Sequence, residues 1–188
     1  SYFGPVASRP IIRGLGGEKI KILENGLSSS DLSAISHDHA STIESSLAEQ
    51  IEVIRGPATI LYGSSAIGGV VNVNDNRIPE YKPEKDFNAD LEIRGSSGDL
   101  ERATSAKANW ASGPFVFHLD GGLRKTADIN IPGFARTSKE RQESDLSYAE
   151  PKGELPFSDS DSDNISFGTS YVNKNGFLGI AFSDYNAL

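Results

Sequence analysis

Two histidines and one aspartate stand side by side in this chain, at His37, Asp38 and His39. Imidazole nitrogens are borderline-soft ligands and carboxylate oxygens are hard ligands, and this combination suits zinc. Three neighbouring side chains supply only part of a coordination shell, so a zinc site here needs further ligands from elsewhere. The alternative is a solvated polar loop, in which Asp38 or Ser41 caps a following helix.

The elements that must position these residues have a mixed α+β pattern. Apolar side chains at helical spacing in residues 40–49 predict a short amphipathic helix directly after the His-Asp-His segment. The dipeptide Asn25-Gly26 favours a tight turn, and Pro57 favours a second short helix that ends at Gly63. Strands are predicted at residues 10–13, 18–23, 50–55 and 70–74.

The rest of the chain alternates between apolar and polar side chains, as strands do when their two faces meet different surroundings. In residues 115–124, Leu119 and Leu123 fall on one face, and His118 and Asp120 fall on the other. We expect His118 to be a polar residue of this wall. Five strands are predicted, at residues 88–95, 102–110, 115–124, 165–173 and 176–184.

The connections between these strands alternate in length. Residues 112–114 and 174–176 are tight turns, whereas residues 96–100 and about 126–162 are longer and polar. Short periplasmic turns and long extracellular loops are typical of outer-membrane barrels, whose apolar face meets lipid. A soluble antiparallel sheet that packs its apolar face on a core produces the same alternation. Five strands cannot close a barrel, so the barrel interpretation predicts an incomplete one.

Composition excludes some classes of function. The 188 residues carry a formal net charge of -8, which argues against a nucleic-acid partner. There is no cysteine, so a metal must be held by His, Asp or Glu. We find neither a signal peptide nor an apolar run of about 20 residues, and we expect an excised or truncated chain. No nucleophile, base and orienting group stand at a recognisable spacing, so the chain is not expected to be an enzyme.

A group of motifs in the N-terminal part resembles the plug signature of TonB-dependent outer-membrane receptors. Residues 50–57 read QIEVIRGP, and LYG at residues 61–63 and GGVVNV at residues 68–73 follow them. Residues 10–14, PIIRG, are similar to an earlier plug motif of that family. The resemblance implies an N-terminally truncated α+β plug at residues 1–80, followed by the first strands of an antiparallel transmembrane β-barrel at residues 81–188.

The same resemblance implies a function and a set of residues. The family imports scarce nutrients into Gram-negative bacteria across the outer membrane, with the TonB protein as energy source through a segment expected upstream of Ser1. Family arginines face barrel-wall carboxylates, and Arg13 and Arg55 stand at those positions. Outer-membrane lipid is the other expected partner, and no cofactor is expected.

The expected cargo is a zinc ion, as a transported substrate. Asp38 and His39 resemble the metal-binding pair of ZnuD-type zinc-uptake receptors, with His37 as an additional candidate ligand. Plug motifs are shared across cargoes, so an iron-siderophore or haem receptor, which binds a metal chelate, is the alternative. From another class, the alternative is a soluble β-rich binding or adhesion module.

Overall fold

The computed structural model describes residues 10–28, 47–143 and 151–187. Its N-terminal part is a four-stranded sheet of mixed direction. The strands are β1 (Ile20–Glu24), β2 (Leu27–Ser28), β3 (Gln50–Ile54) and β4 (Gly69–Asn74). They lie in the order β2-β1-β4-β3, in which β1 and β4 are parallel. Three short 3-10 helices, Gly17–Lys19, Gly56–Tyr62 and Ser64–Ala66, flank the sheet.

A predicted turn and a predicted short helix are confirmed in this part of the chain, and one predicted strand is wrong. Asn25 and Gly26 join β1 to β2 with φ of 52° and 77°, a conformation that asparagine and glycine tolerate. The 3-10 helix Gly56–Tyr62 ends at Gly63, whose φ is 96°. Residues 10–13 form no strand, because the chain turns at residue 13 with φ of 52°. The predicted helix at residues 40–49 lies outside the described residues, apart from its last three.

A small apolar core holds the N-terminal sheet together. Leu23, Ala66 and Val70 are at most 2% exposed, and Ile54 and Tyr62 pack against them. Val70 lies on β4, which has a neighbouring strand on each side, so it contributes to the core from the centre of the sheet.

The C-terminal part contains a five-stranded antiparallel sheet, and all five predicted strands are confirmed. The long polar connection additionally contains a two-stranded hairpin and a short helix, which the sequence did not predict. The elements are β5 (Phe87–Gly95), β6 (Arg102–Ser112), β7 (Phe115–Thr126), β8 (Ile129–Phe134), α1 (Ser138–Glu143), β9 (Lys152–Leu155), β10 (Ser160–Asn173) and β11 (Gly176–Ala187). The order of strands in the five-stranded sheet is β11-β10-β7-β6-β5.

Residues 75–86, which we call the connector, lead from β4 to β5 and join the two sheets. The predicted domain boundary at residue 80 lies within the connector and stays a prediction. In the described ranges the five-stranded sheet is open, with β5 and β11 at its edges. No helix among the described residues is long and apolar enough to cross a membrane.

Candidate functional site

The five-stranded sheet buries its polar face and exposes its apolar face. On β7, His118 and Asp120 are 1% and 3% exposed, whereas Leu119 and Leu123 are 42% and 67% exposed. A water-soluble sheet has the opposite arrangement, because its apolar side chains pack on a core. Such an apolar surface fits contact with lipid. Its other large members are Leu91, Ile93, Ile165, Phe167, Ile180 and Phe182.

Aromatic side chains form a band across the apolar face, at the end of the sheet where the short turns lie. Phe87, Trp110 and Phe117 are neighbours in register on β5, β6 and β7, and the last two rings stack with centroids 5.2 Å apart. Phe115 and Tyr171 meet edge to face at 5.6 Å. Aromatic girdles mark the interfaces between membrane and water in outer-membrane barrels, so the band supports the lipid-facing interpretation.

The connector crosses the buried polar face directly above two glycines of the sheet. A Cβ atom at Gly168 of β10 would overlap the carbonyl oxygen of Arg77. A Cβ atom at Gly179 of β11 would press against the Ile78 side chain and lie 2.9 Å from the carbonyl oxygen of Thr169. Neither glycine has a positive φ, so the lack of space for a Cβ atom explains the residue type at both positions.

Arg77 of the connector joins the two sheets through three carboxylates. Its Nη1 donates to Glu24 Oε1 at the end of β1 in a short ion pair. Its Nε lies 3.0 Å from Asp75 Oδ2 and 3.7 Å from Asp120 Oδ2 on β7, without the alignment of a hydrogen bond. The side chains of Arg77, Asp75 and Asp120 are 17%, 5% and 2% exposed. We call these four residues the junction.

Other polar groups hold the junction carboxylates in place. Asp75 Oδ1 accepts from the backbone N–H of Arg77 at 2.9 Å and from a side-chain amide of the β1–β2 turn at 2.8 Å. The two ring nitrogens of His118 lie 2.9 Å from Asp120 Oδ2 and 2.7 Å from Asn109 Oδ1. Because His118 is buried between two oxygen atoms, the ring orientation is fixed, and Asp120 is fixed with it.

The junction buries more negative than positive charge, since three carboxylates surround one guanidinium. Burial raises the pKa of Glu24 above its ordinary value, and the neighbouring Asp75 adds to the rise, while Arg77 opposes it. Removing one partner from a buried ionic group leaves the remaining charge uncompensated. Each of the three carboxylates therefore depends on Arg77.

Arg13 and Arg55, the arginines predicted to face barrel-wall carboxylates, lie at two turns of the N-terminal part. Arg13 lies in the turn that follows Ile12, and Arg55 stands just before the 3-10 helix Gly56–Tyr62. Both are exposed. Among the described residues, the arginine that the structure brings to a carboxylate of β7 across the two sheets is Arg77. A wall contact for Arg13 and Arg55 stays a prediction.

The predicted metal ligands Asp38, His39 and His37 lie outside the described residues. Within the described ranges, no group of three or more His, Cys, Asp or Glu side chains is arranged to hold a metal ion. Zinc capture therefore stays a prediction from the sequence.

Outside the junction, the buried carboxylate of Glu101 lies at the end of the polar face where the long loops leave the sheet. Its Oε1 accepts from Arg94 Nε of β5 at 2.7 Å, and its Oε2 accepts from Arg124 Nε of β7 at 2.8 Å. Burial raises the pKa of Glu101, but the two arginines together outweigh burial and hold that pKa below its ordinary value. The carboxylate of Glu101, directly before β6, thus connects side chains of β5 and β7 across the first three strands of the sheet.

We expect Glu101→Gln to lower the free energy of unfolding by about 1 kcal/mol at neutral pH. The effect is modest because the Arg94 side chain is 41% exposed and water screens its charge. Since the pKa is lowered on folding, the contribution is present above the ordinary value of 4.5 and is lost as the pH falls through the lowered value. Denaturant unfolding in detergent should show a difference between parent and variant at neutral pH that shrinks in acid. An equal difference at both pH values would contradict this assignment.

Residues 1–70 match the family described as TonB-dependent Receptor Plug Domain. This segment is therefore similar to a TonB-dependent receptor plug domain. The match confirms the plug that the motifs at residues 10–14 and 50–57 predicted, and it includes β1, β2 and β3 of the four-stranded sheet. The predictions of an outer-membrane location and of a protein that is not an enzyme are confirmed with it.

Curated relatives of the plug and first strands are receptors and transporters. The chain is 30% identical over 131 residues to the ferric enterobactin receptor of Pseudomonas aeruginosa, and 32% identical over 121 residues to the vitamin B12 transporter BtuB of Vibrio vulnificus. These matches cover 65% and 64% of this chain. The chain spans 16% and 19% of the lengths of these two relatives.

Solved structures show the same fold. A variant of the ferric enterobactin receptor PfeA from Pseudomonas aeruginosa has a TM-score of 0.62 at 22% identity, over 94% of this chain and 27% of that chain. The FrpB iron transporter from Neisseria meningitidis has a TM-score of 0.66 at 12% identity, over 97% of this chain and 26% of that chain. The predicted fold, a plug followed by the antiparallel strands of an incomplete barrel, is confirmed.

The junction was not predicted as a site. Strand alternation places Asp120 and His118 on the polar face, and this part of the prediction is correct. No periodic pattern runs through the connector, so Arg77 has no signal of its own. The available signal was an aspartate on the polar face of a strand, since a buried carboxylate requires a cation nearby.

Proposed function

We propose that this chain is the plug and the first wall strands of a TonB-dependent receptor that imports a scarce nutrient through the outer membrane. The observation that carries the proposal is the inverted sheet, whose polar face is covered by the connector and whose apolar face is exposed. A plug seated on a polar wall blocks free diffusion through the barrel. Import then requires a rearrangement of the plug, which we assign to energy delivered by the TonB protein.

A ferric siderophore is the cargo class that we favour. Relatives over the same part of the chain include ferric enterobactin receptors of Pseudomonas aeruginosa and Escherichia coli, at 30% identity each. A chelated iron arrives with its own ligands, so the receptor recognises the outside of the chelate and needs no ligand of its own for the metal. This cargo does not depend on Asp38 and His39 as metal ligands.

Zinc is the second candidate, because the sequence carries His37, Asp38 and His39 in one segment of the plug. A free zinc ion must be captured by protein nitrogen and oxygen atoms that bind the metal directly. The two cargoes therefore make opposite demands on this segment.

Uptake by cells that carry the complete receptor separates the two cargoes. The parent, Asp38→Asn and His39→Gln receptors are compared for import of ferric siderophore and of zinc, with the proton gradient intact and collapsed. For a siderophore cargo we expect energised iron uptake that changes less than about twofold in both variants, because neither side chain binds the iron. For zinc we expect uptake to fall at least about tenfold, since even the loss of a residue that only hydrogen-bonds to a metal ligand has an effect of that size.

Ser41→Ala provides a matched control, because it changes a polar residue of the same segment that is not a candidate ligand. It should leave uptake of either cargo at the parent level. Absence of energised uptake of both cargoes, in a complete receptor present in the outer membrane, would contradict the import proposal in favour of a binding or adhesion role.

A further inference from the structure

We propose that Arg77 is the residue that fastens the plug to the barrel wall in the resting receptor. Arg77 lies in the connector, outside the plug motifs at residues 10–14 and 50–57. The proposal rests on the proposed function for a barrel closed by a plug, but not for import, and the attachment of plug to wall is measured without any cargo.

Arg77 lies between distant parts of the chain. Its guanidinium reaches back to Glu24, which is 53 residues earlier, and forward to Asp120 on β7. One side chain therefore links the connector, the first strand of the plug and the wall. The covalent connector alone leaves the two sheets free to separate, since a flexible chain segment constrains its ends only weakly.

The shape and the charge of the wall both fit this contact. Gly168 lets the backbone of the connector lie directly on β10. Asp120 is held by His118 and by Asn164, whose Nδ2 lies 3.4 Å from Oδ1. A carboxylate buried this deeply is unfavourable without a cation, and Arg77 supplies one.

The contact of Arg77 with the wall is also suited to opening. The ion pairs of Arg77 Nε with Asp75 and Asp120 are not aligned as hydrogen bonds, and the junction has more carboxylates than cations. Lys107 is the cross-strand neighbour of Asp120 on β6 and can balance its charge when Arg77 leaves. A fastening of this kind holds the resting plug without preventing its rearrangement.

The test uses the complete receptor in the outer membrane of intact cells, with Arg77→Gln, Asp120→Asn and the double variant. The readout is entry of a hydrophilic dye that is too large for the general pores of that membrane. We expect each single variant to raise dye entry about tenfold, a size well below the full cost of unpairing a buried charge because Lys107 compensates in part. The double variant should not exceed the larger single effect, because both substitutions break one contact.

The matched control is the ion pair between Lys125 and Asp161, at 2.9 Å on the same strand β7 and its neighbour β10. Both side chains are more than half exposed, at 75% and 53%, so Lys125→Gln and Asp161→Asn should leave dye entry unchanged. Arg77→Lys retains the charge without the planar fork and should give an intermediate value.

Two results would overturn the assignment. One is parent-like dye entry in Arg77→Gln and Asp120→Asn, with folded barrels shown by heat-dependent electrophoretic mobility. The other is a double variant whose effect is the product of the two single effects, which would mean that the residues act independently. If the parent imports no cargo but the variants leak as expected, the proposed function fails and the fastening role of Arg77 stands.

Discussion

Leu119→Arg is expected to destabilise the lipid-embedded receptor by about 2–4 kcal/mol, because the new charge faces hydrocarbon near the middle of a membrane-spanning strand. Leu119 is 42% exposed at the centre of β7 and is flanked in register by Ala108 and Phe167 on the apolar face. None of these neighbours offers a polar partner for a guanidinium. Equilibrium urea unfolding in lipid vesicles measures the difference between variant and parent.

Leu123→Arg is the matched control for Leu119→Arg. It lies on the same face of the same strand, but two residues from Lys125, whose side chain is 75% exposed near the loop end. Charge is tolerated near the membrane interface, so we expect a cost of about 0–1 kcal/mol there. If this face met water instead of lipid, both changes would stay within about 0.5 kcal/mol, because exposed surface substitutions are usually neutral. Equal small effects would therefore contradict the lipid-facing assignment.

Gly168→Ala is expected to cost about 3 kcal/mol, the upper end of the usual range for overpacking. The added methyl group meets the backbone carbonyl of Arg77, which cannot rotate away as a flexible side chain can. The connector has to lift from β10, and the junction at Arg77 opens with it. Thermal unfolding of the complete receptor in detergent, together with protease cleavage of the connector, measures both consequences.

Gly95→Ala, at the end of β5 in the same sheet, is the matched control. A Cβ atom at Gly95 meets only the carbonyl oxygen of Glu101 at 3.6 Å, which is ordinary contact, and its φ is not positive. Its effect should stay within about 0.5 kcal/mol. Protection of the connector that is unchanged in Gly168→Ala would show that the close approach to β10 does not hold the plug.

The wall strands were predictable because one physical pattern decides them. Strict alternation over residues 88–95 and 115–124 fixes which side chains share a face, and the tight turns at residues 112–114 and 174–176 fix the hairpin pairing. The sequence could not decide which face is buried, since lipid and an apolar core favour the same pattern. The structure decides it through residues such as His118, which is 1% exposed, and Leu91, which is 68% exposed.

Residues 10–13 show where the pattern misleads. Two isoleucines before an arginine and a glycine have the composition of a strand, but Arg13 and Gly14 adopt φ of 52° and 77° and reverse the chain. Among the residues that the structure describes, the bridge between Ile12 and Leu15 is what remains of a strand pairing. The local turn therefore overrides the strand propensity of the isoleucines, which depends on a partner strand being available.

The junction depended on information that a single sequence does not carry. Arg77 meets Glu24 and Asp120 because the connector is drawn across the wall at Gly168, and that path follows from the packing of two sheets. The family motifs predict a wall contact for Arg13 and Arg55, because these motifs mark the segments that plugs share. Contacts made by the connector follow from the register of β7 and β10 beneath it, which no motif encodes.

The accessibility of spin labels along β7 tests the lipid-facing wall most directly. Single cysteines at residues 116 to 123 of the complete receptor in lipid bilayers are labelled, and collisions with oxygen and with a water-soluble nickel chelate are compared. We predict strict alternation, with high oxygen accessibility at residues 117, 119, 121 and 123 and low accessibility to both agents at residues 116, 118 and 120. Low oxygen accessibility at the first set would mean that the apolar face packs on protein, and would contradict the assignment of this chain to the plug and wall of an outer-membrane importer.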